Sequence, residues 1–266
     1  MNYKVVFILS NGHSGSTMLD LILGSNSQCV SLGEFRVVAP EHISEEKRKR
    51  VKDNYCAICA NECPVWSQLL PMKGPRYHDE AHAHFGSPVL IDSSKIEDWP
   101  ALCEKNISGE IVYIRLTRSV YDRFGSFRQK RGKVMPAEVK NWVTHEKQIT
   151  RFLRHRPHIK MKYEDLCRKT GLKSLCSYIG IDYEKRMWKF WKTRHHNLRG
   201  NVKTATLVKL YHKIIKRKDL DHTQQMFLRR FGFHVRRVNK SKYLTEKDIA
   251  LIVKTGAAKI NKELGY

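Results

Sequence analysis

The sequence predicts an α/β fold in which a mainly parallel central sheet is flanked by helices. An apolar, β-branched run at residues 4–10 leads through a glycine-containing turn into residues 16–25, where apolar side chains recur at helical spacing. Four further apolar runs alternate with helical patterns and predict strands at residues 29–32, 89–91, 110–117 and 158–163. Strands that alternate with helices favour a parallel sheet with right-handed crossover connections.

The spacing of apolar residues between these strands predicts the helices. One helix is expected to follow Arg118 and run to Arg128, and a second is expected over residues 140–155. A third is expected over residues 166–179, because Gly180 follows as an end signal.

Two regions depart from this regular alternation. Residues 36–86 have weak periodicity, a charged run and three cysteines, and we expect them to form an insertion over one face of the sheet. Residues 205–266 have helical patterns and are very basic as far as Tyr243, which predicts a helical C-terminal region. The length suits one sizeable α/β domain, so residues 1–266 are interpreted as a single domain.

The composition is that of a basic globular protein. Hydrophobic residues make up 41% and charged residues 29%, and 50 Lys and Arg against 26 Asp and Glu give a formal net charge of +24. Such a surplus favours polyanionic partners, which include nucleic acid, anionic membranes, phosphorylated cofactors and acidic substrates. No apolar run has membrane-spanning length, and residues 5–9 are too short for the core of a signal peptide. We therefore expect a soluble, cytoplasmic protein with no transmembrane segment.

The turn between the first strand and the first helix has the chemistry of an anion-binding loop. Backbone N–H groups and the helix dipole attract an anion at a helix N-terminus, and glycines allow it to approach closely. An ATP-type loop requires G-x-x-x-x-G-K-[ST], but Ser10 stands at the first glycine position and Ser16 at the lysine position. The missing lysine argues against an NTPase or a kinase. The candidate anion-binding residues are Gly12, His13, Ser14, Gly15, Ser16 and Thr17.

The run Ser14-Gly15-Ser16-Thr17, followed by Met-Leu, resembles the 5′-phosphosulfate loop of sulfotransferases that use 3′-phosphoadenosine 5′-phosphosulfate (PAPS). The resemblance implies a P-loop NTPase-like fold, PAPS as the donor, 3′,5′-adenosine bisphosphate (PAP) as the product, and no required metal. His13 departs from the pattern, since the family commonly has Arg or Lys there. A histidine can donate to the same oxygens, but its charge depends on pH.

The same resemblance implies a second half of the donor site. Arg118 and Ser126 have the family's spacing for binding the 3′-phosphate, and Arg115 is a rival that should point to the opposite face of its strand. Tyr163 begins a Y-E-D-L segment whose tyrosine contacts the adenine in the family. Residues 195–201 resemble the loop that closes over the 3′-phosphate, with Arg199, Gly200 and Asn201 as the candidates.

Sulfonate transfer needs a base for the acceptor and positive charge on the sulfonate and the leaving phosphate. Glu34 is the candidate base, because residues 33–40 resemble the Gly-Glu segment of protein-tyrosine sulfotransferases, and His13 is the alternative base. Lys95 follows a predicted central strand and can neutralise the developing charge. We expect the sulfonate to be transferred to a hydroxyl or amine group. The acceptor molecule is expected to be acidic or hydroxyl-bearing, such as a peptide tyrosine, a glycan or a small molecule.

Three cysteines have part of the spacing of a metal site. Cys56, Cys59 and Cys63 would need a fourth ligand for tetrahedral zinc, and Cys29, His78, His82 and His84 are the candidates for it. Because only three cysteines cluster, and because Pro64 and Trp66 beside them indicate burial, reduced or disulfide-linked structural cysteines are favoured, and no residue is assigned as a metal ligand.

Two other functions compete with sulfonate transfer. Residues 186–237 mix many Lys and Arg with aromatic side chains, a composition found in nucleic-acid-binding proteins. That alternative does not explain the anion-binding loop, so nucleic acid is the less favoured partner. The other alternative, a P-loop kinase-like enzyme, is disfavoured by the missing lysine.

Overall fold

The computed structural model describes residues 2–39, 56–60, 63–70, 72, 74–216, 219–233 and 239–266. Pro40 and the charged run at residues 45–52, which were part of the predicted insertion, lie outside the described residues.

The central sheet confirms the predicted fold class. Among the described residues, five strands pair in the order β2-β3-β1-β4-β5, and every pairing is parallel. The strands are β1 Lys4–Leu9, β2 Cys29–Gly33, β3 Val89–Lys95, β4 Glu110–Thr117 and β5 His158–Lys162. β3 extends four residues beyond its predicted end, so Lys95 is the last residue of the strand.

Helices cover both faces of the sheet, and one predicted helix is wrong. The helix expected at residues 166–179 is two helices, because Lys169 (φ 59°) and Gly171 (φ 78°) adopt the left-handed conformation between them. The helices are α1 Ser16–Leu23, α2 Trp66–Leu69, α3 Tyr77–Phe85, α4 Asp98–Cys103, α5 Val120–Arg131, α6 Pro136–Leu153, α7 Tyr163–Arg168, α8 Leu172–Ile179, α9 Val202–Ile215, α10 His222–Phe231, α11 Glu246–Lys254 and α12 Ala257–Glu263.

The alternation of side chains along β1 divides the core into two layers. Phe7 and Leu9 face one layer, whereas Val6 and Ile8 face the other, as the two-residue period of a strand requires. Trp66 of α2 is fully buried in the first layer. The described part of the predicted insertion therefore completes the core on one face of the sheet.

The described part of residues 205–266 is mostly helical. Ile252 of α11 and Ala257 of α12 pack against Phe124 of α5 and Trp142 of α6 in a separate apolar cluster. In the described part of the chain, no helix has both the length and the apolar character needed to cross a membrane.

Candidate functional site

The candidate site lies where β1, β3 and β4 end. Because neighbouring parallel strands end at the same edge, the segments that follow them meet there. The backbone N–H of Ser10 bonds the carbonyl of Lys95 at 3.0 Å, and this bond holds the ends of β1 and β3 together. Arg118 follows the end of β4 directly.

The anion-binding loop is held in place by two arginines and one tyrosine. Arg118 Nη1 donates to the carbonyl of His13 at 2.9 Å, and Arg123 Nε donates to that of Gly12 at 3.0 Å. Gly15 has a φ of 91°, and a Cβ at this position would lie 2.4 Å from Cδ2 of Tyr163. Only glycine fits there, so the loop conformation and the position of Tyr163 depend on each other.

One cavity of about 590 Å³ brings most of the predicted site residues together. Its size is typical of a ligand pocket. Ser14 is buried and is not among the lining residues, and Arg199 lines a neighbouring cavity instead. The predicted residues that line the large cavity are Gly12, His13, Gly15, Ser16, Thr17, Glu34, Lys95, Arg118, Ser126, Tyr163, Gly200 and Asn201.

The predicted loop at residues 195–201 lies against both the anion-binding loop and the end of β2. The backbone N–H of Asn201 donates to Oγ1 of Thr17 at 2.9 Å. The N–H of Glu34 donates to the carbonyl of Leu198 at 2.7 Å. A Cβ at Gly33 would lie 2.1 Å from that carbonyl oxygen, so this close approach requires glycine. The segment therefore sets the position of the Glu34 backbone.

Glu34 and Lys95 form an ion pair at the floor of the cavity. Their side chains are 30% and 16% exposed, so solvent reaches both partners. Lys95 has a φ of 78°, and His13 (67°) and Arg199 (52°) are also left-handed. Left-handed conformations are costly for residues other than glycine and concentrate at functional sites.

The cavity is strongly electropositive. Desolvation lowers the pKa of His13 to about 4, and the positive charges of Lys130, Arg123, Arg118 and Arg131 act in the same direction. Because His13 is exposed by surface area, desolvation alone is a weak reason for the lowered pKa. The surrounding cations lower the pKa whether or not the ring is buried. The lowered pKa therefore favours the neutral form of the His13 ring at pH 7.

Two guanidinium groups near the anion-binding loop are partly unpaired. Arg118 Nε and Arg123 Nη1 are buried and make no hydrogen bond within the described part of the chain. Burial also lowers the pKa of Arg123 to about 10, which is the cost of holding this cation away from water. An oxyanion in the cavity would offset that cost.

Three cations near or in the cavity were not predicted from the sequence. Arg123 and Lys130 lie on α5, the helix of Ser126, and Lys203 lies in the first turn of α9. Arg123 is three residues before Ser126 and Lys130 is four after it, a spacing that places all three on one face of a helix. That spacing is the signal that could have found them.

Arg115, the alternative candidate for binding the 3′-phosphate, is buried and paired within the protein. Its side chain is buried, with Nη2 3.1 Å from the Glu146 carboxylate and 2.8 Å from the hydroxyl of Thr150. Its charge is thus neutralised within the protein, whereas Arg118 lines the cavity.

A second cavity of about 290 Å³ lies beside the large one. The two cavities share Gly12, Glu34 and Lys95 as lining residues. Arg36 and Arg199 add positive charge to the wall of the second cavity. Glu34 therefore lines both cavities.

The three clustered cysteines lie beside the predicted loop. None of the proposed fourth ligands, Cys29, His78, His82 and His84, belongs to their cluster. His196, which the sequence analysis did not consider, does belong to it. His78 is instead buried against Asp92, with Nε2 2.9 Å from the carboxylate.

Comparison with known proteins identifies the fold. No protein-family model and no curated protein matches the chain. The sulfotransferase domain from the curacin biosynthetic pathway aligns with a TM-score of 0.56 and 17% identity, over 88% of this chain and 99% of that domain. The sulfotransferase domain of the Synechococcus PCC 7002 olefin synthase aligns with a TM-score of 0.54 and 18% identity, over 95% of this chain and 94% of that one. The chain has the fold of these sulfotransferase domains.

Proposed function

We propose that the protein transfers a sulfonate group from PAPS to a hydroxyl or amine acceptor. The observation that carries the proposal is the single cavity that joins the anion-binding loop, Arg118 and Ser126 to the Glu34–Lys95 pair. This arrangement has room for an anionic nucleotide beside a carboxylate that can act as a base.

The charges and unpaired groups of the cavity fit a donor with two anionic ends. The loop and the first turn of α1 would hold the 5′-phosphosulfate through backbone N–H groups and the hydroxyls of Ser16 and Thr17. Arg118 and Ser126 would hold the 3′-phosphate, and the presence of both residues in the wall of the cavity supports this role. Gly200 and Asn201 would close over the nucleotide, with Tyr163 beside the adenine.

The donor carries a sulfonate joined to a phosphate through a bridging oxygen, and transfer exchanges that sulfur–oxygen bond for one to the acceptor. Glu34 accepts the proton of the acceptor hydroxyl as its oxygen bonds the sulfur. Lys95 stabilises the negative charge that grows on the bridging oxygen as its bond to sulfur breaks. The products are a sulfated acceptor and PAP, and the proton is on Glu34 until solvent removes it.

The ion pair gives Lys95 a second role in this scheme. An ammonium that pairs with a carboxylate oxygen occupies the place where that oxygen would meet the acceptor hydroxyl. Lys95 is close enough to Glu34 to pair with it in the ligand-free protein. When Lys95 turns to the donor, it releases Glu34 for proton transfer, so the base becomes active only when a donor is present.

The second cavity supports an acidic acceptor. Arg36 and Arg199 place positive charge around a space that Glu34 also lines. This charge would attract a hydroxyl group carried by an anionic peptide, glycan or small molecule. In-line transfer requires donor and acceptor on opposite sides of the sulfur, and two spaces that meet at Glu34 and Lys95 suit this geometry.

Transfer of label from radioactive PAPS into a host-cell extract tests the activity. We expect the purified protein to label a defined set of products and to release PAP at the same rate. The Glu34→Gln variant should still bind added PAP, but it should form almost no PAP from PAPS. Equal labelling by wild type and variant would contradict the role of Glu34, and PAPS that is neither bound nor consumed would contradict the proposed function.

A further inference from the structure

We propose that Cys56, Cys59, Cys63 and His196 bind one structural Zn²⁺ ion. Their three sulfur atoms and one imidazole nitrogen all lie within 4.8 Å of one another. The cluster lies outside both cavities of the candidate site, and its role does not depend on the proposed function.

The distances within the cluster are those of ligands around one ion. His196 Nδ1 is 3.4 Å from the sulfur of Cys59 and 3.3 Å from that of Cys63. In a tetrahedral zinc site, bonds of about 2.3 Å to sulfur and about 2.0–2.1 Å to nitrogen separate a sulfur from a nitrogen by about 3.6 Å. A single imidazole nitrogen facing two sulfurs at once is explained better by a shared ion than by one hydrogen bond.

The turn that carries the first two cysteines directs backbone donors at the sulfur of Cys56. The backbone N–H groups of Ile58 and Cys59 point at the sulfur of Cys56, at 3.4 and 3.3 Å. The N–H of Ala60 bonds the carbonyl of Cys56 at 3.0 Å, and Ala60 has a φ of 58°. Donors aimed at a ligating sulfur stabilise its negative charge and fix its orientation.

The chemistry of the four ligands selects zinc. Thiolate and imidazole ligands in a closed tetrahedral set are typical of structural Zn²⁺. Cys56 and Cys63 are each 2% exposed, so the ion would be shielded from solvent on that side. Binding replaces three thiol protons, which pass to solvent, by one divalent cation. All seven cysteines are free thiols in the structure.

His196 belongs to a segment that is hydrogen-bonded to other parts of the fold, so an ion bound to His196 would help to hold that segment in place. The indole N–H of Trp66 donates to the carbonyl of His196, and the N–H of Ala57 donates to that of Asn197 at 2.8 Å. The next residue, Leu198, is hydrogen-bonded to both Leu32 and Glu34. The ion would therefore fasten residues 196–198 to the segment at residues 56–66.

Metal analysis of the purified chain, with any affinity tag removed, tests the proposal. We expect one zinc per chain in wild type and in the control Cys29→Ser, whose thiol is half-buried outside the cluster. His196→Ala and Cys59→Ser should lose the metal, whereas His196→Cys should retain it. Retention in His196→Cys separates metal binding from packing, because a cysteine replaces only the ligand function of histidine.

Two measurements on the wild-type chain keep the test decisive if a variant fails to fold. Cobalt should replace zinc and give the thiolate charge-transfer band and intense visible bands of a tetrahedral site. Zinc removal by a chelator should lower the thermal midpoint by at least about 5 °C, and added zinc should restore it. Wild-type protein that is purified in folded form with no zinc bound, that holds iron instead, or that carries a disulfide among these cysteines would overturn the proposal.

Discussion

The backbone N–H of Asn201 donates to Oγ1 of Thr17 at 2.9 Å, which joins the start of α9 to the first turn of α1. A Cβ at Gly200 would lie 2.8 Å from Cγ2 of the same threonine. The two segments, 184 positions apart in the chain, thus form adjoining parts of the wall of one cavity.

Glu34→Gln tests the proposed base. The change removes the proton acceptor but keeps the size of the side chain, so kcat should fall about 100- to 10,000-fold while PAP affinity changes little. Steady-state kinetics and calorimetry measure the two effects. Glu263→Gln, an exposed carboxylate at the end of α12, is the matched control and should behave as wild type. Undiminished turnover in Glu34→Gln would assign the base elsewhere.

Arg118→Ala tests the site of the 3′-phosphate. Loss of a charge-assisted contact should weaken PAP binding about 10- to 100-fold, whereas AMP, which lacks the 3′-phosphate, should lose much less affinity. Arg151→Ala, an exposed change on α6, should alter neither. An equal loss for both nucleotides would show that Arg118 acts only through its bond to the His13 carbonyl.

His13 should titrate far below an ordinary histidine. In the ligand-free protein its pKa is lowered to about 4, so the ring is neutral at pH 7 and gains its proton only in acid. Bound PAP should raise that pKa because the anion stabilises the imidazolium. By linkage, PAP then binds more tightly as pH falls through the raised pKa. An NMR titration of the ring protons measures both values, and an ordinary pKa near 6.5 in the free protein would contradict this account.

Gly33→Ala should destabilise the fold through the contact with Leu198. The added Cβ would lie 2.1 Å from a carbonyl oxygen, at a φ of 76°, so we expect a loss of about 2–4 kcal/mol in the free energy of unfolding. Gly86→Ala separates the two causes, since Gly86 also has a positive φ (61°) but has no atom within 4 Å of its Cβ position. It should lose only about 1 kcal/mol in denaturant unfolding. Equal losses would mean that the backbone conformation alone matters.

Local patterns predicted the fold well and the site in part. The alternation of strands and helices was sufficient to predict the parallel sheet. Each helix buries its apolar face against the strands that it connects, so the pattern is visible in local sequence. The break between α7 and α8 was missed because a single glycine, Gly171, is tolerated inside a helical pattern, and the left-handed Lys169 gives no turn signal. The position of His196 beside the cysteines depends on the path of residues 180–198, and no spacing in the sequence encodes that path.

The donor is the central claim, and calorimetry with PAP, ATP and a DNA oligomer tests it most directly. We expect PAP to bind in the micromolar range or tighter, with ATP at least tenfold weaker and DNA binding lost at moderate salt. The expectation follows from Arg118 and Ser126 in the cavity and from Ser16 in place of the ATP-binding lysine. Tight binding of ATP without binding of PAP would contradict the account.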